Sequence, residues 1–147
     1  VSQTPPPDLC LTRLRTDYLS GSRTPASVIA GIITCMNVHD ENPIWIHRIA
    51  DEDLLTRARE LEGCTPEDLP LYGIPFAVKD NIDVAGLPTS ASCPDFTYTP
   101  KISAPAVEAL LDAGAILIGK TNLDQFATGL VGTRSPWGAC RNAFDRG

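Results

Sequence analysis

The segment Gly114-Ala115-Ile116-Leu117-Ile118-Gly119 does most to limit how this chain can fold. It is a short apolar run held between two glycines. The residues just before it, 105–113, carry helix signals, with Pro105 near the start and Gly114 past the end. Further upstream, Leu71 to Val78 reads as a turn entering a strand, with Gly73 and Pro75 as punctuation and Phe76-Ala77-Val78 as the apolar run. Strand, loop, helix, strand is the order of a βαβ unit, whose two strands pair in parallel because the helix carries the chain back across the sheet. The spacing therefore predicts an α/β fold with Ala115–Ile118 as a short apolar strand.

The remaining elements follow from periodicity. Leu9, Leu11, Leu14, Tyr18 and Leu19 recur at helical spacing up to Gly21. Thr24-Pro25 reads as an N-cap followed by proline at the first helical position. Val28, Ile29, Ile32, Ile33 and Met36 then mark one face of a helix ending near Asn37. Ile44-Trp45-Ile46 reads as a short buried strand after Pro43. A helix over about 51–62 opens on three acids, which suit the positive end of its dipole, and Gly63 is its stop. Ile82–Val84 is expected as a further short strand, and 86–103, rich in Pro, Ser and Thr, as an irregular loop. Pro5, Pro6 and Pro7 forbid helix, so residues 1–8 are expected to form a disordered tail and 9–147 a single domain with a helical N-terminal arm.

Charge and cysteine usage remove several function classes. The net charge is −6 and no run of Lys or Arg occurs, so the clustered cations that nucleic acid or an anionic membrane surface demands are missing. No stretch approaches the apolar length that spans a bilayer, and nothing resembles an export signal. Cys10, Cys35, Cys64, Cys93 and Cys140 are odd in number and scattered, which argues for reduced thiols in a cytoplasmic protein. His39 and His47 form no metal-ligand spacing, so no metal site is expected.

Residues 114–121 also match G-x-x-x-x-G-K-[ST], the phosphate-loop pattern, letter for letter. That motif needs a pliable loop whose amides curl around a phosphate. Here its interior is Ala-Ile-Leu-Ile, the most strand-like run in the chain, and a helix precedes it where a strand should. A strand points its amides at neighbouring strands, so nucleotide binding is discounted. Lys120 is placed at the exit of the strand.

Lys79 ends the other apolar strand and is followed by Asp80 and Asn81. A lysine at a strand end is ordinarily solvated. The alternative is an amine desolvated enough to lose its proton and act as a base. Asp80 opposes that role if ionised nearby, so a working Lys79 requires its carboxylate to be turned aside.

The motifs GIPFAVKDNIDVAG and AGAILIGKTNLDQFATG resemble the amidase signature family, and the stretch NLDQFATGLVGTRSPWGACRNAFD at 122–145 resembles its allophanate-hydrolase form. The similarity covers roughly residues 9–145. It implies the N-terminal part of the amidase signature fold, a mixed sheet with helices on both faces, here incomplete. It further implies a Ser–cisSer–Lys triad in which Lys79 matches the base and Gly129 a position lining the substrate pocket. In such a triad the lysine draws the proton from a serine through a second serine on a cis peptide. The freed alkoxide attacks the amide carbonyl, and backbone amides stabilise the oxyanion. No cofactor is implied. The implied substrate is allophanate, cleaved to ammonia and carbon dioxide. The implied associations are a homodimer and a urea carboxylase, fused or as a partner, to which any biotin would belong.

The family's Gly-Gly-Ser-Ser segment and the later nucleophile segment have no match in this sequence. Ser90, Ser92, Ser103 and Ser135 lie in no glycine-rich turn of that kind. Smaller departures occur at Ser103-Ala104-Pro105 and Arg141-Asn142-Ala143. The expectation is therefore an N-terminal fragment that is inactive alone, with an exposed strand edge. Two alternatives stand beside it: an amidase acting on another amide, such as the amidase chain of an aminoacyl-tRNA amidotransferase, and a non-catalytic paralogue serving as a partner chain.

Overall fold

A computed structural model describes residues 7–38 and 41–142. In chain order they form α1 (Leu11–Leu19), α2 (Pro25–Val38), β1 (Trp45–Arg48), α3 (Asp51–Leu61), β2 (Pro75–Lys79), α4 (Pro105–Asp112) and β3 (Ile116–Thr121). Short 3-10 turns occupy Pro94–Phe96 and Gln125–Ala127. Most of the expected tail, His39 and the sequence after Asn142 lie outside the described residues. Asp8 is described: its Oδ1 accepts the Cys10 amide at 3.0 Å.

The described residues divide into two compact units. The first holds 7–38, 49–76 and 109–117. Its core is helical: Leu14 from α1, Val28 and Ile29 from α2, and Leu54, Ala58 and Leu61 from α3 are all buried. The start of α2 is fixed by a reciprocal cap. Thr24 Oγ1 accepts the Ser27 amide at 3.2 Å, and Ser27 Oγ accepts the Thr24 amide at 3.0 Å. In α1 only Leu14 and Tyr18, four residues apart, face inward, while Leu11 and Leu19, and Leu9 ahead of the helix, stay exposed. The Tyr18 hydroxyl donates to the Gly73 carbonyl at 3.0 Å. Gly114 stops the chain from continuing α4. It takes φ +91°, and a Cβ there would meet Leu69 Cβ at 3.0 Å and the Tyr72 Cα at 3.2 Å.

The second unit holds 41–48, 77–108 and 118–142. The strands order as β1-β3-β2 in one sheet. β1 runs antiparallel to β3, with His47 opposite Lys120 and Arg48 opposite Gly119, and an irregularity between Trp45 and His47. β2 runs parallel to β3: the Ile116 amide donates to Ile74 O at 2.9 Å near the start of both, and the Asp80 amide to Thr121 O at 3.0 Å near the end of both. The α/β expectation is met by a mixed three-stranded sheet.

Four local expectations need correction. β1 begins at Trp45 rather than Ile44 and is half-buried along its length, because it is an edge strand. Ile82–Val84 is not a strand. The Ile82 amide turns back to Lys79 O at 2.9 Å, so the chain leaves the sheet in a turn centred on Asp80 and Asn81. β3 continues past Ile118 to Thr121, carrying Gly119 and Lys120 inside the strand. The segment 86–103 is more ordered than its composition suggests, since Thr89 and Tyr98 form an antiparallel bridge.

Candidate active site

The period of two along a strand separates Lys79 from Asp80. Val78 and Asp80 point inward and are buried, while Ala77 and Lys79 are exposed on the opposite side. The Asp80 carboxylate is fully buried. Its Oδ2 accepts the Ser90 amide at 2.9 Å and the Ser90 hydroxyl at 2.5 Å, and its Oδ1 faces Lys120 Nζ at 3.3 Å. Lys120 is buried because β3, the central strand, is buried on both faces from Ile116 to Lys120. It lies in register with Ile116 and Ile118 on β3 and is 0% exposed. Its amine donates to Pro88 O at 2.7 Å and Thr89 Oγ1 at 2.6 Å. Burial pushes the Lys120 amine below the usual lysine range, against the pull of the Asp80 charge. The carboxylate beside Lys79 is thus turned aside and faces Lys120, while Lys79 itself is exposed, so the desolvation a base needs is not met among the described residues.

The serines near this end of the sheet are already committed. Ser90 donates to Asp80, as above. Ser92 Oγ donates to Leu123 O at 2.7 Å, in a turn where Ala91 and Ser92 both have positive φ, 53° and 57°. Ser103 Oγ accepts the Ala85 amide at 2.9 Å. Ser135 Oγ accepts the Trp137 amide at 3.2 Å.

Gly129 lies in a bend that follows β3. The Asp124 side chain fills the space beside it, so a Cβ at 129 would overlap the Asp124 carboxylate. Asp124 Oδ2 accepts the Gly132 amide at 2.9 Å and Oδ1 the Arg134 amide at 2.6 Å. These backbone donors hold the Asp124 carboxyl below the usual carboxylate range, against a small opposing effect of burial.

Gly119 and Lys120 belong to the central strand rather than to a loop, and the Lys120 amine is spent on protein oxygens. No phosphate cradle exists there. Sequence reasoning placed Lys120 at a strand exit and missed its pairing with Asp80. The signal was available: Lys120 is in phase with Ile116 and Ile118, and Asp80 with Val78. Asp124 was also missed, its partners being backbone amides that side-chain patterning does not reveal.

The described residues thus combine a mixed sheet, a lysine at one strand end, a buried Lys–Asp pair and a glycine bend after the central strand. The chain belongs to the amidase family, whose Amidase model matches residues 35–147. It is 50% identical over 128 residues to the urea amidolyase of Saccharomyces cerevisiae, covering 86% of this chain and 7% of that protein. It is 57% identical over 99 residues to the urea amidolyase of Lachancea kluyveri, covering 67% of this chain and 5% of that protein. Among solved structures, the allophanate hydrolase of Kluyveromyces lactis superposes with a TM-score of 0.74 at 47% identity, covering 90% of this chain and 22% of that one. The chain therefore spans under a quarter of each of these relatives.

Proposed function

We propose that this chain supplies the base and part of the substrate pocket of an amidase that hydrolyses allophanate. Lys79 is the general base and Gly129 lines the pocket. The observation that carries this reading is the placement of Asp80. Its charge is engaged by Lys120 and Ser90 on the buried side of β2, while Lys79 stands free of it on the other side.

A serine hydroxyl becomes a nucleophile when a neighbouring base removes its proton, and a lysine does this near neutral pH only as the free amine. Lys79 is exposed among the described residues, so its desolvation is assigned to amidase segments outside this sequence. The proton passes from the nucleophilic serine through the cis serine to Lys79, and leaves with ammonia as the terminal C–N bond breaks. Water then cleaves the acyl-enzyme. Both serines of the triad are likewise assigned outside this sequence. Ser90 and Ser92 are buried and donate to protein oxygens, which disqualifies them as nucleophiles. The 147-residue chain alone is therefore inactive. Allophanate is a carboxylated urea, so the supplying reaction is a urea carboxylation, in the same cytoplasmic polypeptide or in a partner.

The test is a transplant. Residues 9–142 replace the matching stretch of the Kluyveromyces lactis allophanate hydrolase, and ammonia release from allophanate is followed. The expected chimaera works within about tenfold of its parent, a barrier change of about 1.4 kcal/mol, while the isolated chain stays at the blank rate. A folded chimaera that is inert on allophanate but releases ammonia from glutamine would overturn the substrate assignment.

A further inference from the structure

We infer that Asp124 is a positioning residue that fixes the bend carrying Gly129, and so sets the shape of the substrate pocket. This rests on the reading of Gly129 as a pocket residue.

The bend is tied at both ends. At its far end the Asp124 carboxylate, 5% exposed, receives the amides of Gly132 and Arg134 through separate oxygens. The Gln125 amide closes the same loop onto Arg134 O at 2.8 Å. At its near end the Phe126 amide donates to Ala91 O at 2.9 Å, and Gln125 Nε2 to Ser92 O at 3.3 Å. Phe126 and Ala127 hold positive φ values of 52° and 56°, a conformation that side chains disfavour and that survives only where surrounding bonds enforce it. Between these ties Leu130 and Val131 project into solvent, 101% and 76% exposed. A loop with exposed tips and a fully bonded base holds its shape through the base. Asp124 supplies two of those bonds and also occupies the volume that any side chain at 129 would need. Position 129 is thus glycine because the clamp stands where its Cβ would be.

The charged group beside Asp124 is Arg134, whose amide it already binds. Protonation of Asp124 would weaken both amide bonds at once and loosen the bend.

Asp124→Asn tests this, because the amide side chain keeps one acceptor and turns a donor toward the other backbone N–H. In the 147-residue chain, hydrogen exchange read by NMR is expected to accelerate at Gly132 and Arg134 by about tenfold or more, with Ile116–Ile118 unchanged as the folding control. In the chimaera, KM for allophanate is expected to rise by about tenfold with kcat within about threefold. Gly129→Ala is the second variant. It displaces the same carboxylate and is expected to raise KM non-additively with Asp124→Ala. Unchanged exchange at Gly132 and Arg134 would overturn the clamp. Faster exchange with an unaltered KM would overturn its role in the pocket. Lys79→Met, measured alongside, separates these outcomes from failure of the functional reading, since that reading predicts loss of kcat whatever Asp124 does.

Discussion

Replacing Lys120 by methionine removes one half of a buried ion pair and keeps the side-chain volume. Both partners are 0% exposed. Asp80 Oδ2 keeps its two bonds from Ser90, but Oδ1 has no hydrogen-bond donor and depends on the lysine charge 3.3 Å away. Breaking a buried pair from one side costs about 3–5 kcal/mol, because a charge is left uncompensated. Domains of this size have only about 5–15 kcal/mol of stability in total. At about 2–4 °C per kcal/mol, a loss near 4 kcal/mol lowers Tm by about 8–16 °C. Urea unfolding followed by tryptophan fluorescence measures it, with Trp45 on the adjoining strand as reporter. The double variant Asp80→Asn with Lys120→Met removes both charges and is expected to recover about 2 kcal/mol of the loss. A Lys120→Met cost below about 1 kcal/mol, the range of an exposed pair, would refute the reasoning.

Two further substitutions probe the first unit. Gly114→Ala forces a side chain into φ +91° against Leu69 and Tyr72, and is expected to cost about 1–3 kcal/mol in the same urea assay. Tyr18→Phe deletes the bond to Gly73 O and is expected to cost about 1 kcal/mol. Burial pushes the Tyr18 phenol up to about 12 from 10, which favours the neutral form in the folded chain. Its contribution to stability is therefore complete below pH 10 and lost as pH rises through 12. Alkaline unfolding of Tyr18→Phe should show a correspondingly weaker pH dependence above pH 10.

The parts of the fold that were legible in the sequence share one cause: their signals are local. Val28, Ile29 and Ile32 mark the buried face of α2, and Thr24-Pro25 marks its start, because both signals lie within a few turns of chain. β2, α4 and β3 were readable from apolar runs and from the Pro105 and Gly114 boundaries, signals that are equally local. The misreadings arose where distant partners decide. Ile82–Val84 looks like a strand, but the Asp80–Asn81 turn takes the chain out of the sheet. Ile44–Ile46 looks buried, but its strand sits on an edge. Lys120 reads as a residue at a strand exit until the counter-charge forty positions earlier is brought against it. At the candidate site, Lys79 and Gly129 came from motif resemblance, whereas the burial of Asp80 against Lys120 and the hold of Asp124 on the bend became visible only in three dimensions.

The central claim is that the amine of residue 79 is the proton acceptor in amide cleavage. Steady-state ammonia release by the Lys79→Met chimaera, compared with the unsubstituted chimaera, tests it most directly. A fall in kcat of about 10²–10⁴-fold with an intact fold is the expected result. Turnover by the methionine variant at a rate near that of its parent would contradict it.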